Sequence, residues 1–194
     1  MKLMVPETFS TYRVMGIDPG LGNLGVSFMN VDSYTHQILT VEAYTLVNDK
    51  MPDYSGLEED IYSARTVKLY KLKYALMQLL HIYQPSIVAC EAPFFNRLRP
   101  MAYGALLELV SCLHATVIDY NRNLGFISLP PLTVKKFIGA KSIKNDTDKG
   151  KSVVKEAIRL IPEIMNVLTQ DIDTLSEHAI DAIGVGYTLI KQGV

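Results

Sequence analysis

The spacing of hydrophobic residues along the chain first changes from a strand-like to a helix-like pattern shortly after residue 50. Before that point, three stretches rich in β-branched and aromatic residues, at 12–18, 23–31 and 36–47, predict three strands. Short turn-forming links join them, so we expect an antiparallel meander. After the change, apolar residues recur every three or four positions, which is the period of a helix.

The second half of the chain alternates helices with short strands. A helix is predicted from about Leu57 to Tyr83, before Pro85. Residues 86–91 form an almost entirely apolar strand, of the kind that is buried inside a sheet. Pro100 opens a second long helix. The remaining predicted elements are a strand at 125–129 and helices at about 132–138, 149–160 and 175–191.

This order of elements predicts an α/β fold with a mixed five-stranded sheet and helices on both faces. If the strand order is 3-2-1-4-5, the first and fourth strands are parallel neighbours. Asp18 and Glu91, the last residues of those strands, then lie at the same edge of the sheet. The 194 residues fit one domain, 1–194, in which residues 1–11 are an N-terminal extension.

Composition narrows the class of protein. Hydrophobic residues make up 48% of the chain and charged residues 20%, as in ordinary soluble globular proteins. No apolar run reaches the ~18 to 20 residues that span a bilayer, and the first residues do not resemble a signal peptide. We therefore expect a cytoplasmic protein without membrane partners. Cys90 and Cys112 lie in apolar segments, which favours buried free thiols.

Three carboxylates and a histidine are the candidate chemistry. Asp18 and Glu91 end predicted strands, and Asp181 lies on the apolar last helix with His178 three residues before it. Residues three apart share one helix face. Asp181 interrupts an otherwise apolar stretch, where a carboxylate is costly unless it is paired or bound to a metal. Taken singly, each residue also fits a turn, a solvated strand end or a surface position; the four together are more specific.

A cup of carboxylates at a sheet edge is typical of metal-dependent nucleases. Oxygen ligands suit Mg²⁺ or Mn²⁺, and two such ions about 4 Å apart can assist phosphodiester hydrolysis. Asp18, on the expected central strand, would bridge the two ions, with Glu91 and Asp181 on either side. His178 would ligate a metal or carry a proton. Because imidazole is less usual for Mg²⁺, its presence favours Mn²⁺.

The segment Gly20–Gly25 spells G-x-G-x-x-G, which is the pattern of dinucleotide-binding loops. That loop must open a helix, but the residues that follow, 26–31, prefer a strand. Asp18 would also repel a phosphate. We therefore expect a tight turn without a nucleotide cofactor, whose glycines let a DNA backbone approach Asp18.

Charge is unevenly distributed although the net charge is only −1. Residues 135–159 include eight basic residues and three acidic ones, whereas the segment 49–60 is acidic. Lysines in the basic segment could neutralise DNA phosphates, although a solvated face explains them equally well. Aromatic residues flanked by arginines can stack on unpaired bases, and we expect one of the two phenylalanines to pack in the core. The candidate DNA-binding residues are Phe94, Phe95, Arg97, Arg99, Lys135, Lys136, Lys149 and Lys151.

These motifs resemble those of RuvC-type Holliday junction resolvases, in the ribonuclease H-like superfamily. The resemblance covers roughly residues 13–189 and suggests a divergent phage or other viral member acting in the host cytoplasm. The matching motifs are, in order, Gly16-Ile17-Asp18-Pro19-Gly20 with Gly25, Glu91 with Phe94, Pro131-x-x-Val134-Lys135 followed by Asp148-Lys149, and His178-Ala-Ile-Asp181-Ala-Ile.

The resemblance implies a homodimer that cuts two opposed strands of a four-way junction with Mg²⁺ or Mn²⁺. It makes Asp18, Glu91, His178 and Asp181 the catalytic and metal-binding residues. Either Lys149 or Lys151 would be the active-site lysine. The apolar face of the helix at 100–120 could pair across a dimer axis, although core burial explains that face equally well.

Two other functions fit the same residues. One is a nuclease that acts on other branched DNA, such as flaps or three-way forks. The other is a DNA-binding protein of the same fold that has lost catalysis, against which the four intact positions argue. A sugar-kinase relative would need a second large lobe, for which 194 residues are too few.

Overall fold

The computed structural model describes residues 10–52, 56–57, 59–95, 97, 100–140 and 149–193, with backbone alone at 149–152. Its centre is one five-stranded sheet in the order β3-β2-β1-β4-β5. The predicted strand order is therefore confirmed. The strands are β1 (Thr11–Asp18), β2 (Asn23–Asp32), β3 (Ile38–Val47), β4 (Ile87–Glu91) and β5 (Gly125–Leu129).

The first three strands form the predicted antiparallel meander, and β4 and β5 extend the sheet in parallel. The segment after Gly22 is strand β2, which confirms that the glycine-rich turn does not open a helix. The outer edge of β3 is covered by residues near the end of the chain. The backbone N–H of Val41 donates to the carbonyl of Val167, and the side chain of Gln170 bonds both backbone groups of Ala43. Such cover keeps an edge strand from pairing with another chain.

The helices lie on both faces of the sheet and form two cores. Helices α1 and α2 pack their leucines against β1, β2 and β4 on one face, and α3, α4, α5 and α6 cover the other. Helix α6 is buried almost throughout, from Ala179 to Ile190. The helices are α1 (Ala64–Tyr83), α2 (Pro100–Tyr120), α3 (Pro131–Phe137), α4 (Lys149–Arg159), α5 (Pro162–Met165) and α6 (Glu177–Lys191).

Two glycines allow α6 to lie directly on the sheet. A Cβ atom at Gly16 would lie 2.3 Å from the carbonyl oxygen of Ala182, and one at Gly25 would lie 2.0 Å from that of His178. The carbonyl of His178 in α6 thus fills the space beside Gly25, so the expectation that a DNA backbone approaches at this glycine is wrong. Nothing lies within 4 Å of a Cβ atom at Gly22.

Helix α1 begins later than the sequence pattern predicts. The prediction of a start near Leu57 is wrong because the side chain of Ser63 accepts a hydrogen bond from the Thr66 N–H and caps the helix there. Ile61, which was expected on the inner face, is 71% exposed. The short helix α5 was not predicted, because four residues are too few to show a period.

Helix α2 is long and apolar enough, by length and composition alone, to cross a membrane. Core helices of soluble proteins share these properties, and Leu109, Leu113 and Val117 are fully buried beneath the sheet. The expectation that no apolar segment reaches this length holds only for uninterrupted runs, since Glu108 interrupts this one. Only 22% of the apolar window of this helix is buried, so pairing of α2 across a dimer axis stays a prediction.

Candidate metal-binding and DNA-binding site

Asp18 and Glu91 meet at one edge of the sheet. Strand β1 lies in the centre of the sheet and pairs with β4 in parallel, with Ile17 opposite Cys90. Asp18 and Glu91 are the next residues along these two strands, so their backbones lie side by side. Asp18 is buried, with 9% exposure, and Glu91 is half-buried. The predicted juxtaposition is thus present in the structure.

Helix α6 brings the histidine onto the aspartate. The side chain of Ser176 caps this helix, and His178 lies in its first turn. Nδ1 of His178 donates to Oδ2 of Asp18 at 2.7 Å. The hydrogen bond to Asp18 is the largest of the effects that raise the pKa of His178 above its usual value. The two residues are 160 positions apart in the sequence.

The other two carboxylates are held in an environment that disfavours their charge. Burial raises the pKa of Glu91 to about 7, and the negative charges of Asp18 and Asp181 add to the effect. Burial likewise raises the pKa of Asp181 to about 7, with a further contribution from Asp18. Lys135 acts in the opposite direction on both. A site that crowds desolvated carboxylates gains free energy when a cation enters it.

These acids line a cleft of about 170 Å³. Glu91 and Asp181 contribute from β4 and α6, and Lys135 contributes from α3. Phe94 and Glu177 also lie on the wall. Within the described part of the chain, no three His, Cys, Asp or Glu side chains converge closely enough to hold an ion together. The structure shows a hydrogen-bonded Asp18–His178 pair with two further carboxylates in electrostatic range.

The two phenylalanines after β4 are both exposed, Phe94 by 57% and Phe95 by 59%. Phe94 lines the cleft. The ring of Phe95 meets Tyr103 of α2 edge to face, with 5.4 Å between centroids. The expectation that one of the two packs in the core is therefore wrong: Phe95 has a neighbour, but both rings remain open to solvent. Arg97 is exposed, and Arg99 lies outside the described residues.

The basic candidates lie on two helices beside the cleft. Lys135 and Lys136 are exposed on α3, and only Lys135 lines the cleft. Lys149 and Lys151 are at the start of α4, but their side chains lie outside the described part of the structure. Lys155 and Arg159 are ion-paired with Asp173.

No family model matches the chain. Two curated relatives do match, and both are described as crossover junction endodeoxyribonuclease RuvC. The one from Synechococcus sp. (strain RCC307) is 23% identical over 181 residues, covering 91% of this chain and 96% of the relative. The one from Caldicellulosiruptor saccharolyticus is 28% identical over 126 residues, covering 65% of this chain and 67% of the relative.

Solved structures share the fold across nearly the whole chain. RuvC of Thermus thermophilus in complex with a Holliday junction substrate has a TM-score of 0.62 at 16% identity, covering 93% of this chain and 95% of that one. The yeast mitochondrial Holliday junction resolvase has a TM-score of 0.63 at 15% identity, covering 96% and 80%. The fowlpox virus resolvase with junction DNA has a TM-score of 0.58 at 13% identity, covering 94% and 99%.

Along most of its length the chain is therefore similar to RuvC-type Holliday junction resolvases. Its fold is the ribonuclease H-like fold that the resemblance implied, with the sheet order of that prediction.

One side chain on the wall of the cleft was not among the predicted site residues. Glu177 lies on the wall of the cleft, and its Oε1 is 3.9 Å from Nε2 of His178. Its position four residues before Asp181 puts the two carboxylates on one helix face, and that spacing was available in the sequence. The sequence pattern places Glu177 at the start of the last helix, but it gives no signal for the depth at which that helix end meets the cleft.

Proposed function

We propose that the chain is an endodeoxyribonuclease that resolves four-way Holliday junctions by divalent-metal-dependent hydrolysis of phosphodiesters on two opposed strands. The observation that carries the proposal is that Asp18 and Glu91 end neighbouring parallel strands, while helix α6 brings His178 onto Asp18 and Asp181 into electrostatic range. Two further observations support it. Relatives along most of the chain are described as crossover junction endodeoxyribonucleases, and structures of the same fold contain junction DNA.

Three carboxylates and an imidazole are a donor set that suits Mg²⁺ or Mn²⁺, and we propose two ions per site. Asp18, Glu91, Asp181 and His178 would hold them, with Asp18 shared because it lies on the central strand. When bound, the ions would lower the pKa of an attacking water and stabilise the charge of the transition state. The raised pKa values of Glu91 and Asp181, both about 7, favour such ligation, because a cation offsets the repulsion that raises them. His178 can hold or release a proton beside Asp18.

DNA would lie across the mouth of the cleft. Phe94 on its wall offers an aromatic face to an unpaired base at the branch, and Phe95 offers a second one beside Tyr103. Arg97, Lys135 and Lys136, with Arg99, Lys149 and Lys151, would bind phosphates. These contacts orient the scissile strand, and none of them requires a particular base sequence.

The decisive experiment is cleavage of a synthetic four-way junction labelled on each strand in turn. We expect paired cuts on opposed strands, mapped to the nucleotide, with Mg²⁺ or Mn²⁺ and none in EDTA. The same assay on flaps and three-way forks tests the alternative substrate class. Binding of the junction without cuts under any metal condition would contradict the proposed activity and favour a binding protein.

Cutting on two opposed strands requires two sites, so we propose a homodimer. Mixed dimers of wild-type and Asp18→Asn chains test this. On a plasmid cruciform, such dimers should cut one strand and yield nicked circles, whereas wild-type dimers yield linear DNA. A monomer by sedimentation in the presence of the junction would contradict the homodimer.

A further inference from the structure

Helix α3 carries an exposed leucine between two lysines. Leu132 is 81% exposed, and Lys135 and Lys136 are exposed as well. The lysines follow the leucine by three and four positions, so all three side chains project from one face of the helix, with Leu132 between the lysines. Val134 is buried on the opposite face and holds the helix on the protein. The outward face of α3 is therefore an apolar side chain flanked by positive charge.

The outward face of α3 lies directly beside the cleft. Pro131 and Lys135 of this helix line the cleft, and so does Phe94, which follows β4. Leu132 comes directly after Pro131 in the chain and projects into solvent, and Phe94 is itself 57% exposed. Two segments that line the cleft, α3 and the residues after β4, therefore each present an exposed apolar side chain to whatever lies across its mouth.

The two lysines define the chemistry of the partner that Leu132 meets. A single exposed leucine is common on protein surfaces and by itself needs no function. DNA whose phosphates contact Lys135 and Lys136, however, brings its bases within reach of the side chain between them. Apolar side chains of DNA-binding proteins insert between base steps at the cost of unstacking the bases. At a branch point the stacking is already interrupted, so this cost is smaller there than in an uninterrupted duplex.

We propose that Leu132 is a specificity-determining residue, an apolar wedge that packs against unstacked bases at the branch point and so favours branched DNA over uninterrupted duplex. This inference rests on the proposed function. Lysine contacts to phosphates carry no information on whether the DNA is branched, so they contribute affinity for both forms. Burial of the leucine adds affinity only where the bases are already apart.

Three substitutions at Leu132 test this role. Leu132→Ala removes the wedge, Leu132→Gln makes it polar at a similar length, and Leu132→Met keeps it long and apolar. Affinities for a four-way junction and for a duplex are measured by fluorescence anisotropy in Ca²⁺ at constant salt. We expect Leu132→Ala and Leu132→Gln to weaken junction binding by about 10-fold and to leave duplex binding unchanged, whereas Leu132→Met binds as the wild type does. Leu160→Ala is the matched control and should change neither affinity, since Leu160 is 82% exposed just past the end of α4.

Unstacking itself is measured with 2-aminopurine at the branch point, whose fluorescence rises when the base leaves the stack. At saturating protein we expect the wild type and Leu160→Ala to raise this fluorescence, and Leu132→Ala to lose most of the rise. Equal loss of affinity for junction and duplex would make Leu132 part of a general DNA-contact surface and overturn the inference. Unchanged affinity and fluorescence in Leu132→Ala would also overturn it, while junction cleavage by the wild type leaves the proposed function intact. A wild type that neither binds nor cuts the junction would overturn both.

Discussion

At the residue scale, the cleft concentrates charge that the fold does not neutralise. Asp18, Glu91 and Asp181 are buried or half-buried, and the charge of Asp18 adds to the burial that raises the pKa of both Glu91 and Asp181. His178 and Lys135 compensate only in part. A group of side chains this costly to ionise is accounted for physically if a cation binds among them.

Replacing Asp18 by Asn should abolish cleavage and leave junction binding in Ca²⁺ within a few-fold of the wild type. Asp18 is expected to hold both ions, whereas DNA affinity comes mainly from phosphate and base contacts elsewhere. Cleavage is measured on the labelled junction, and binding by gel shift. Asp119→Asn, which removes only a surface ion pair with Lys73, is the control. Loss of junction binding by a folded Asp18→Asn protein would show that Asp18 has a structural role.

The free energy of unfolding of the metal-free protein should fall as the pH rises from about 4 to above 7. The folded state raises the pKa of Glu91 from 4.5 and of Asp181 from 3.8, each to about 7, so it binds protons more tightly than the unfolded chain in this window. The raised pKa of His178 acts in the same direction. We expect a loss of at least about 1.4 kcal/mol, the equivalent of one pKa unit.

Urea denaturation at pH 5 and pH 8 in EDTA measures this change. In Glu91→Gln the loss should be smaller, because one of the three titrating groups is absent. Adding Mg²⁺ should restore more stability at pH 8 than at pH 5, since cations compete with protons for the same carboxylates. A metal-free protein that is equally stable at both values of pH would contradict the raised pKa values.

At the element scale, the site depends on how closely α6 approaches the sheet. Gly16 and Gly25 place backbone against backbone where β1 and β2 pass under the helix. The turn between these strands is held from the other side by Asn48, which is fully buried. Its Nδ2 donates to the carbonyls of Leu21 and Lys68, and its backbone N–H donates to the carbonyl of Gly22. The strand that carries Asp18 therefore ends in a turn fixed to both β3 and α1.

Replacing Gly25 by Ala should destabilise the protein and impair metal binding, because the added Cβ would lie 2.0 Å from the carbonyl oxygen of His178. Such overpacking typically costs about 1–3 kcal/mol, and here it moves α6 away from Asp18. Gly22→Ala, three residues earlier in open space, is the matched control and should change stability by less than about 0.5 kcal/mol. Thermal denaturation and Mn²⁺ affinity measure both effects; equal behaviour of the two variants would contradict the close contact.

At the scale of the whole molecule, the two faces of the sheet differ in structure: one carries a leucine-rich core and the other carries the cleft. The face with α1 and α2 is a leucine-rich core whose outer charges pair with each other, as in Arg65–Glu108 and Lys73–Asp119. The opposite face carries α3, α4 and α6, and these helices surround the cleft. A net charge of −1 is compatible with DNA binding when the basic residues gather on one side.

Replacing Lys135 and Lys149 together by Ala should weaken junction binding and reduce its dependence on salt. Each lost phosphate contact lowers the slope of log affinity against log salt concentration by about 0.9. Fluorescence anisotropy in Ca²⁺ from 50 to 200 mM salt measures the slope. Lys71→Ala, on α1 of the other face, should leave it unchanged. An unchanged slope in the double variant would exclude both lysines from the DNA interface.

The sequence by itself determined the elements and their order. Periods of two and of three to four residues predicted the five strands and the long helices. The order 3-2-1-4-5, which places Asp18 beside Glu91, was a hypothesis based on how the elements are connected, and the structure confirms it. The predicted ends of elements were less accurate where a local hydrogen bond sets the end. The cap at Ser63 is an example, because α1 begins there seven residues after the predicted position.

Only the tertiary structure decided the contacts made by α6. The hydrogen bond between His178 and Asp18 and the packing of the His178 carbonyl against Gly25 each join segments more than 150 residues apart. The position of Glu177 on the cleft wall also depends on this packing. Local periodicity carries no information on the depth at which a helix settles on a sheet. That depth is set by the close packing of backbone against backbone, and it determines which side chains share the cleft.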